Sequence, residues 1–376
     1  MSKSLEKVLI IGGGFSGMSA AIQLRKQGIA VDLLEVDKDW RSYGAGITLG
    51  GPTLRAFRTL GILDAFLEKG SATDGAHLRT ADGHPIATIP TPRVAGPDVP
   101  GSGGIMRPVL AGILADATRA SGTNVMLGQT FRSLSPDADG VDVELGTGET
   151  RHYDLVIGAD GLFSAVRKAI LPGAPVPSYT GQAVWRAVVK RPTEVDTAIM
   201  WMGPRIKVGI NPVSATEAYV FVTEDRPEKR RLDESELVPL FLQLLEPFSD
   251  PLVRAIREQI GSQSSIVYRP LEGLLVPLPW HKGRVVLVGD AVHATTPHLA
   301  SGACIGIEDA IVFAEELDKA AGVDEAITAF EARRWERCRM VVQNSLRLGE
   351  IEIANGDKRE HAAIMGKSMA ALADPI

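Results

Sequence analysis

Gly12-x-Gly14-x-x-Gly17 stands between an apolar β-branched run, Val8–Ile11, and a stretch with helical apolar spacing that begins at Phe15 and Ser16. Gly12 would allow the tight turn, Gly14 would let a pyrophosphate approach the backbone, and Gly17 would let helix and strand pack closely. The unpaired N–H groups and positive dipole end of that helix suit phosphate. Glu35, 18 residues beyond Gly17, closes the next strand candidate, Ala30–Leu34, where a carboxylate can accept hydrogen bonds from ribose hydroxyls. A strand, glycine turn, helix and strand within about thirty residues form a βαβ unit, so the chemistry predicted here is dinucleotide binding.

Two further acidic turns follow strand candidates. Asp160-Gly161 comes after Asp154–Gly158 and precedes Ser164 and Arg167, and Gly289-Asp290 comes after Val285–Val288 and precedes His293. No HExxH, GxSxG or clustered carboxylate pair points to hydrolysis, and no metal-ligand spacing occurs. A second GxGxxG is also lacking, which argues against a two-dinucleotide reductase.

A GxGxxG, a DG turn and a GD turn in this order resemble the class A (single-component) flavoprotein aromatic hydroxylases, the family with the para-hydroxybenzoate hydroxylase fold. The likeness runs from Val8 to about Arg339. It implies non-covalent FAD, NADH or NADPH as co-substrate, O2, and a small aromatic or heteroaromatic substrate, hydroxylated through a flavin C4a-hydroperoxide. By position, Asp290 would hydrogen-bond the ribityl chain, a role that suits a carboxylate facing a polyol. Asp160 would belong to the turn associated with FAD and nicotinamide binding, and Arg107 would lie beside the flavin.

Where many members carry Pro-x-x-Gly-Gln-Gly-x-Asn near the flavin ring, this chain reads Pro297-His298-Leu299-Ala300-Ser301-Gly302-Ala303-Cys304. Gly302 and Ala303 would still offer backbone N–H groups at a helix start to the negative edge of a reduced flavin. His298 resembles the substrate-facing histidine of the salicylate hydroxylase and 6-hydroxynicotinate monooxygenase branch. Lys207 and Tyr219 match by spacing the substrate-contacting positions of a urate hydroxylase-like branch. A Tyr or Lys there would orient a phenol or assist its deprotonation. Trp185, Arg186 and Asn211 are further candidates for the pocket wall. Members of the family move the isoalloxazine between exposed and buried positions, and Gly44–Gly51 is the glycine-rich stretch expected along that path.

These residues need elements to hold them. Leu54–Lys69 and Pro108–Ala120 read as helices, and the Gly- and Pro-rich segment Thr73–Gly104 between them reads as an excursion from the first domain. Ala183–Val189, Thr197–Met202, Ile206–Ile210 and Ala218–Thr223 read as strands. Leu237–Ile260 reads as a helix broken into two or three pieces by Pro239, Pro247 and Pro251. Helical patterns then run from Ile305 onward. The expected fold is α/β: a discontinuous Rossmann-like FAD-binding domain (1–73, 101–180, 266–350), interrupted by a β-sheet-rich substrate domain (74–100, 181–265), with C-terminal helices over 351–376.

Bulk properties agree with this scheme. The 376 residues are 45% hydrophobic, enough for a large core, and the formal net charge is -6 with no dense basic block, so nucleic acid is not expected as a partner. No apolar run approaches bilayer length and no charged segment followed by an apolar one opens the chain, so neither membrane insertion nor secretion is expected. Two cysteines, Cys304 and Cys338, without a CxxC pair fit a reducing cytoplasm. A monomer or a homodimer is expected. Two other readings stay open: an FAD oxidase or dehydrogenase that uses no nicotinamide, and a non-catalytic flavoprotein that sequesters a ligand.

Overall fold

Val8, Leu9, Ile10 and Ile11 are apolar on both faces of their strand, a pattern that requires cover on both sides. In the computed structural model, which describes residues 5–203 and 205–376, this strand, β1 (Lys7–Ile11), lies inside a six-stranded sheet. The start of the first expected domain, residues 1–4, lies outside the described residues. Strand order from one edge is His281–Lys282, Val285–Leu287, Leu155–Gly158, Lys7–Ile11, Ala30–Glu35, Asn124–Leu127. Every pair is parallel except the short hairpin at the His281 edge. From β1 the chain first moves one way, to β2 (Ala30–Glu35), and later the other way, to Leu155–Gly158. The carboxyl ends at such a switch point form a ligand-binding crevice; Gly12, Asp160 and Asp290 follow those ends, and Glu35 closes one.

The β-rich middle folds into a seven-stranded sheet ordered Ile266–Gly273, Ser178–Lys190, Glu217–Asp225, Lys207–Pro212, Ala198–Met202, Ala76–Thr80, Pro85–Ile89. Side chains alternate across a strand, so this sheet has two distinct faces. Trp185, Ala187, Trp201, Val208, Ile210, Val220 and Val222 form one face and are fully buried against Phe241, Leu245, Val253 and Ile256 of the helices Glu234–Leu245 and Pro251–Gln259. The buried indoles are satisfied: Trp185 Nε1 donates to Glu224 at 2.8 Å and Trp201 Nε1 to Asp250 at 2.6 Å. Residues of the opposite parity, including Arg186, Val188, Met200, Lys207, Asn211, Tyr219 and Phe221, form the other face, where Tyr219 meets Gly46 and Thr48 and Lys207 meets Glu352.

The excursion Thr73–Gly104 supplies the outer strands Ala76–Thr80 and Pro85–Ile89 of this second sheet. Its far end pairs with a strand that the sequence pattern did not mark. Gly46–Gly50 lies antiparallel to Ser102–Met106, which also pairs with Ser71–Thr73, and this small sheet bridges the two large ones. The expected helix Leu54–Lys69 is two helices, Gly51–Leu60 and Leu63–Lys69, because Gly61 at φ 82° ends the first. Leu237–Ile260 divides into two pieces, with the break falling at Pro247 and Pro251. Among the described residues no helix is long and apolar enough to cross a membrane.

The tightest point of the first βαβ unit is Gly17, where a Cβ would lie 2.0 Å from the Gly12 carbonyl oxygen. That oxygen belongs to backbone and has no room to withdraw. Gly17→Ala is therefore expected to cost at least about 3 kcal/mol, the upper part of the range for overpacking. Denaturant unfolding checks this, and a variant as stable as the parent would contradict the close-packing role.

Candidate active site

At the turn after β1, Gly12 has φ 110° and a Cβ there would stand 2.4 Å from the Ala159 carbonyl oxygen. Only glycine serves at such a position. By contrast nothing lies within 4 Å of an ideal Cβ at Gly14, so the turn is open where a pyrophosphate would lie. Glu35 accepts from the backbone N–H of Gly13 at 2.8 Å and of Asp37 at 2.7 Å, and Trp40 Nε1 donates to the Gly13 carbonyl at 2.8 Å. The carboxylate thus stands beside the glycine turn, clamped there by backbone. Phe15 and Ser16 open the helix Phe15–Lys26, and the Ser16 hydroxyl fills the gap left by two glycines: a Cβ at Gly289 or Gly306 would come within 2.4 Å of it.

Asp160 turns inward. It accepts from the Ser164 hydroxyl at 2.5 Å and from the Ala165 and Val166 N–H groups at 2.7 and 3.0 Å, capping the helix Ala165–Ile170. Arg167 links this turn to the other acidic turn by donating to the Leu162 carbonyl at 2.8 Å and the Ala291 carbonyl at 2.6 Å. The Gly289-Asp290 turn is held by Asp309, which accepts from Gly289 N–H at 2.8 Å, pairs with His293 Nε2 at 2.6 Å, and accepts from Arg334 Nε at 2.8 Å. All of these are buried. Desolvation alone would raise the Asp309 pKa, yet His293 and Arg334 hold it down to about 2. Burial likewise opposes charge on His293, but the Asp309 carboxylate outweighs it and pushes that imidazole well above 6.5. Glu308 completes the network, 3.1 Å from Arg334 and 2.7 Å from Arg337.

Two predicted residues face a cleft between the sheets. Asp290, first residue of the short helix Asp290–His293, and Arg107, first residue of the helix Arg107–Ala120, are both surrounded by protein yet keep solvent-accessible surface, as the walls of a deep cleft do. Burial pushes the Asp290 carboxyl up, against the pull of His293 and Arg107, and the same burial lowers Arg107. The Arg107 guanidinium lies 5.0 Å over the Phe15 ring, and the Arg107 backbone N–H donates to the Ala45 carbonyl at 3.0 Å. Gly302 and Ala303 begin the helix Gly302–Lys319, so their N–H groups have no acceptor within it. Ala300, just before, adopts φ 49°, a left-handed conformation that glycine would take without strain.

The opposite wall is the open face of the seven-stranded sheet. Tyr219 OH hydrogen-bonds Thr48 Oγ1, and Asn211 Nδ2 donates to Thr48 Oγ1 at 2.7 Å and to Tyr219 OH at 3.3 Å. The fit is close, since a Cβ at Gly46 would strike the Tyr219 ring at 2.1 Å. Lys207 is not in this group. Its ammonium bonds Glu352 Oε1 at 2.6 Å, and Lys207 and Tyr219, four residues apart in register, stand roughly 13 Å apart along the strands. Glu352 also meets His361 Nε2 at 3.2 Å and lies 3.4 Å from His298 Nε2. Desolvation would raise the Glu352 pKa, but Lys207 and the two histidines carry it well below the usual carboxylate range. The His298 side chain is only 2% exposed, its Nδ1 2.8 Å from Thr296 Oγ1, and burial lowers its pKa against the pull of Glu352. His298 and Lys207 therefore meet through a shared carboxylate, apart from Tyr219. Trp185, expected on the pocket wall, lies on the other face of its strand and packs in the core.

Sequence reasoning missed Thr48, Glu352, His361 and Asp309. Thr48 sits in a glycine-rich stretch with no strand signature, and the two acids lie on helices where a carboxylate is ordinary until its partners are known.

A family model described as FAD binding domain matches residues 6–345. This chain belongs to that family, the FAD-dependent monooxygenases of the class A flavin hydroxylase type. The aurachin C monooxygenase/isomerase of Stigmatella aurantiaca is 32% identical over 351 residues, 92% of this chain and 89% of that protein. The 6-hydroxynicotinate 3-monooxygenase of Pseudomonas fluorescens is 29% identical over 364 residues, 91% and 90% respectively. The fold matches Klebsiella pneumoniae HpxO complexed with FAD and uric acid at a TM-score of 0.82 and 25% identity, covering 98% of this chain and 93% of that one. The residues present fit FAD: an open glycine turn beside Glu35, an enclosed Asp290 carboxylate with no protein hydrogen bond among the described residues, and free N–H groups at Gly302 and Ala303.

The Asp309 network makes a pH prediction. Asp309, depressed in the folded state, contributes stability that is present above its ordinary value of 3.8 and lost as pH falls through about 2. His293, raised in the folded state, contributes stability that is present below 6.5 and lost as pH rises through its folded value. Asp309→Asn strands His293 and Arg334, so it is expected to cost about 3–5 kcal/mol near pH 6. Unfolding curves across pH 2–7 should show the parent losing stability below about pH 4 and the variant losing much less.

Proposed function

We propose that this protein is an NAD(P)H-dependent FAD monooxygenase that hydroxylates a small aromatic or heteroaromatic compound. The observation that carries this reading is one of proximity. Arg107 interacts with Asp290 on the cofactor side and with Arg186, which neighbours Tyr219, on the sheet side, where Tyr219, Asn211 and Thr48 form a buried hydrogen-bonding cluster suited to a ring hydroxyl. Bound FAD supplies the redox chemistry, accepting reducing equivalents from the nicotinamide and activating O2.

The chain's own residues bind, orient and exclude water. Asp290 and the Gly12–Gly17 turn hold the cofactor's polyol and phosphates, with Glu35 at the ribose and Arg107 beside the flavin. Phe221, next to Tyr219 on the open face, offers an aromatic surface, its ring centroid 5.9 Å from that of Tyr219. Tyr219 OH is the atom placed to accept or return the proton of a substrate hydroxyl, and Asn211 fixes its direction. Lys207 and His298 act through Glu352, which ties the substrate face to the loop leading into Gly302; this makes them positioning residues. The relatives that act on 6-hydroxynicotinate and urate support a small heteroaromatic substrate.

The test is aerobic oxidation of NADH and of NADPH by the FAD-loaded protein, with a panel of hydroxylated aromatic and heteroaromatic compounds and 18O2. Stimulation by one compound together with an 18O-labelled product supports the reading. Oxidation of a panel member without O2, using a dye as acceptor and no nicotinamide, would overturn it in favour of an oxidase or dehydrogenase. With the stimulating compound, Tyr219→Phe is expected to lower kcat by about 10²-fold, the lower bound for a general acid–base group, while FAD content stays unchanged.

A further inference from the structure

Trp40 is an indole whose placement the fold alone does not explain. Trp185, Trp201 and Trp280 are fully buried, whereas Trp40 is half-buried and packs against both of the apolar clusters that helix Phe15–Lys26 separates. Its backbone is left-handed, at φ 50°. A non-glycine residue keeps that conformation only where its surroundings fix it, and such positions cluster at functional sites. Two contacts fix this one. The indole Nε1–H donates to the Gly13 carbonyl at 2.8 Å, and the Arg119 guanidinium lies 4.7 Å from the ring centroid.

Gly13 stands inside the Gly12-x-Gly14 turn, and side chains take both of its backbone groups: Glu35 its N–H and Trp40 its carbonyl. Glu35 thereby fixes the Gly12–Gly13 peptide. Among the described residues, Trp40 alone bonds the Gly13–Gly14 peptide. Across a planar trans peptide a carbonyl and the next N–H point in opposite directions, so Trp40 turns the Gly14 N–H away from itself. Gly14 is exposed, and among the described residues that N–H meets no acceptor. It joins the N–H groups of Phe15 and Ser16, which are unpaired at the start of their helix, as a donor set suited to phosphate. Without Trp40 this peptide is free to flip, which would bring a carbonyl to where the N–H now stands. Helix Arg107–Ala120 braces the arrangement at two points. Its first residue, Arg107, lies 5.0 Å over the Phe15 ring, and Arg119, near its last, lies over Trp40.

We propose that Trp40 is a positioning residue for FAD: its indole N–H, steadied by Arg119, locks the Gly13–Gly14 peptide so that the Gly14 N–H is presented to the cofactor's pyrophosphate before FAD arrives. Donors ordered in advance bind an anion without the entropic cost of ordering them. FAD is the cofactor of the family to which this chain belongs, so the role of Trp40 holds whichever reaction the bound flavin performs.

The experiment uses the whole chain freed of FAD. The FAD dissociation constant is measured by calorimetry and by flavin fluorescence, with no reductant or substrate present. Trp40→Phe keeps an aromatic ring and loses the N–H. It is expected to weaken FAD by about 10- to 100-fold, the worth of one misdirected donor to a charged group. Arg119→Met, a change at an exposed position, is expected to weaken FAD by about 2- to 5-fold, and Arg119→Lys by less because a cation stays over the ring. Gly13→Ala would place a Cβ 2.5 Å from the indole nitrogen, so its effect runs through Trp40. In a double-mutant cycle the losses for Gly13→Ala and Trp40→Phe should therefore fall short of additive. A Trp40 that only packs would lower the Tm of the FAD-free protein and leave the FAD affinity of the folded variant unchanged. That result overturns the proposal, as does full additivity. Where Trp40→Phe does not fold, the Arg119 pair decides: no loss with Met, or equal losses with Met and Lys, overturns it. If no compound stimulates NAD(P)H oxidation while these affinities follow the expected pattern, the hydroxylase reading fails and the role of Trp40 stands.

Discussion

Asp309 is a single buried carboxylate on which three separate parts of the chain converge: the Gly289 turn through its N–H, the following helix turn through His293, and the long helix Val323–Ile353 through Arg334. A charge so enclosed is tolerable only when its partners are all in place, and two of those partners carry charge of their own. The cooperativity runs both ways, since the carboxylate keeps His293 protonated and His293 keeps the carboxylate ionised. What this arrangement holds still is the Gly289-Asp290 corner, the point at which the nucleotide-binding sheet meets the cleft. Ser16, lodged against Gly289 and Gly306, ties the glycine turn to the same corner. The cofactor side of the site is thus a rigid frame built behind its binding surface.

The substrate side works on a different principle. Its sheet is amphipathic in an unusual sense: one face is a sealed core with two indoles, while the other mixes Arg, Lys, Asn and Tyr with Val, Met and Phe. Polar groups on that face are paired where they serve architecture, as with Lys207 and Glu352, and unpaired where the cleft opens, as with Arg186. The contrast between satisfied and unsatisfied charges distinguishes scaffold from binding surface more sharply than exposure does.

How much of this was legible beforehand depended on range. The glycine turn, Glu35, the two acidic turns and the doubly buried strands all carry local signatures, because each is set by backbone conformation or by apolar pattern within a few residues. The class and the α/β order followed from these. Strand existence in the middle region was also legible, but strand face was not: Trp185 and Arg186 are adjacent, and only the register with Glu217–Asp225 decides which one meets the core. The partnerships of Asp309 with Gly289, of Glu352 with Lys207 and of Tyr219 with Thr48 span 20 to 171 residues of sequence, and no local rule connects them. Asp160 shows the reverse case, a residue in a recognisable motif whose carboxylate is taken up by capping its own turn.

The weaving of the chain between its two sheets has a consequence for how such a protein can change over generations. Strands of the substrate wall come from residues 76–89 and again from 178–273, and the small sheet Gly46–Gly50, Ser71–Thr73, Ser102–Met106 stitches the crossings together. No continuous gene segment encodes either wall, so a recombination event cannot import a foreign pocket whole without also breaking strands that must pair across it. New specificities must arise instead by replacement of individual letters, and the tolerant ones are the alternate positions of a few strands whose intervening neighbours belong to the core. The backbone crossings therefore tie the two walls together, and the alternate positions on the open face of one sheet are the ones that can change without disturbing its core.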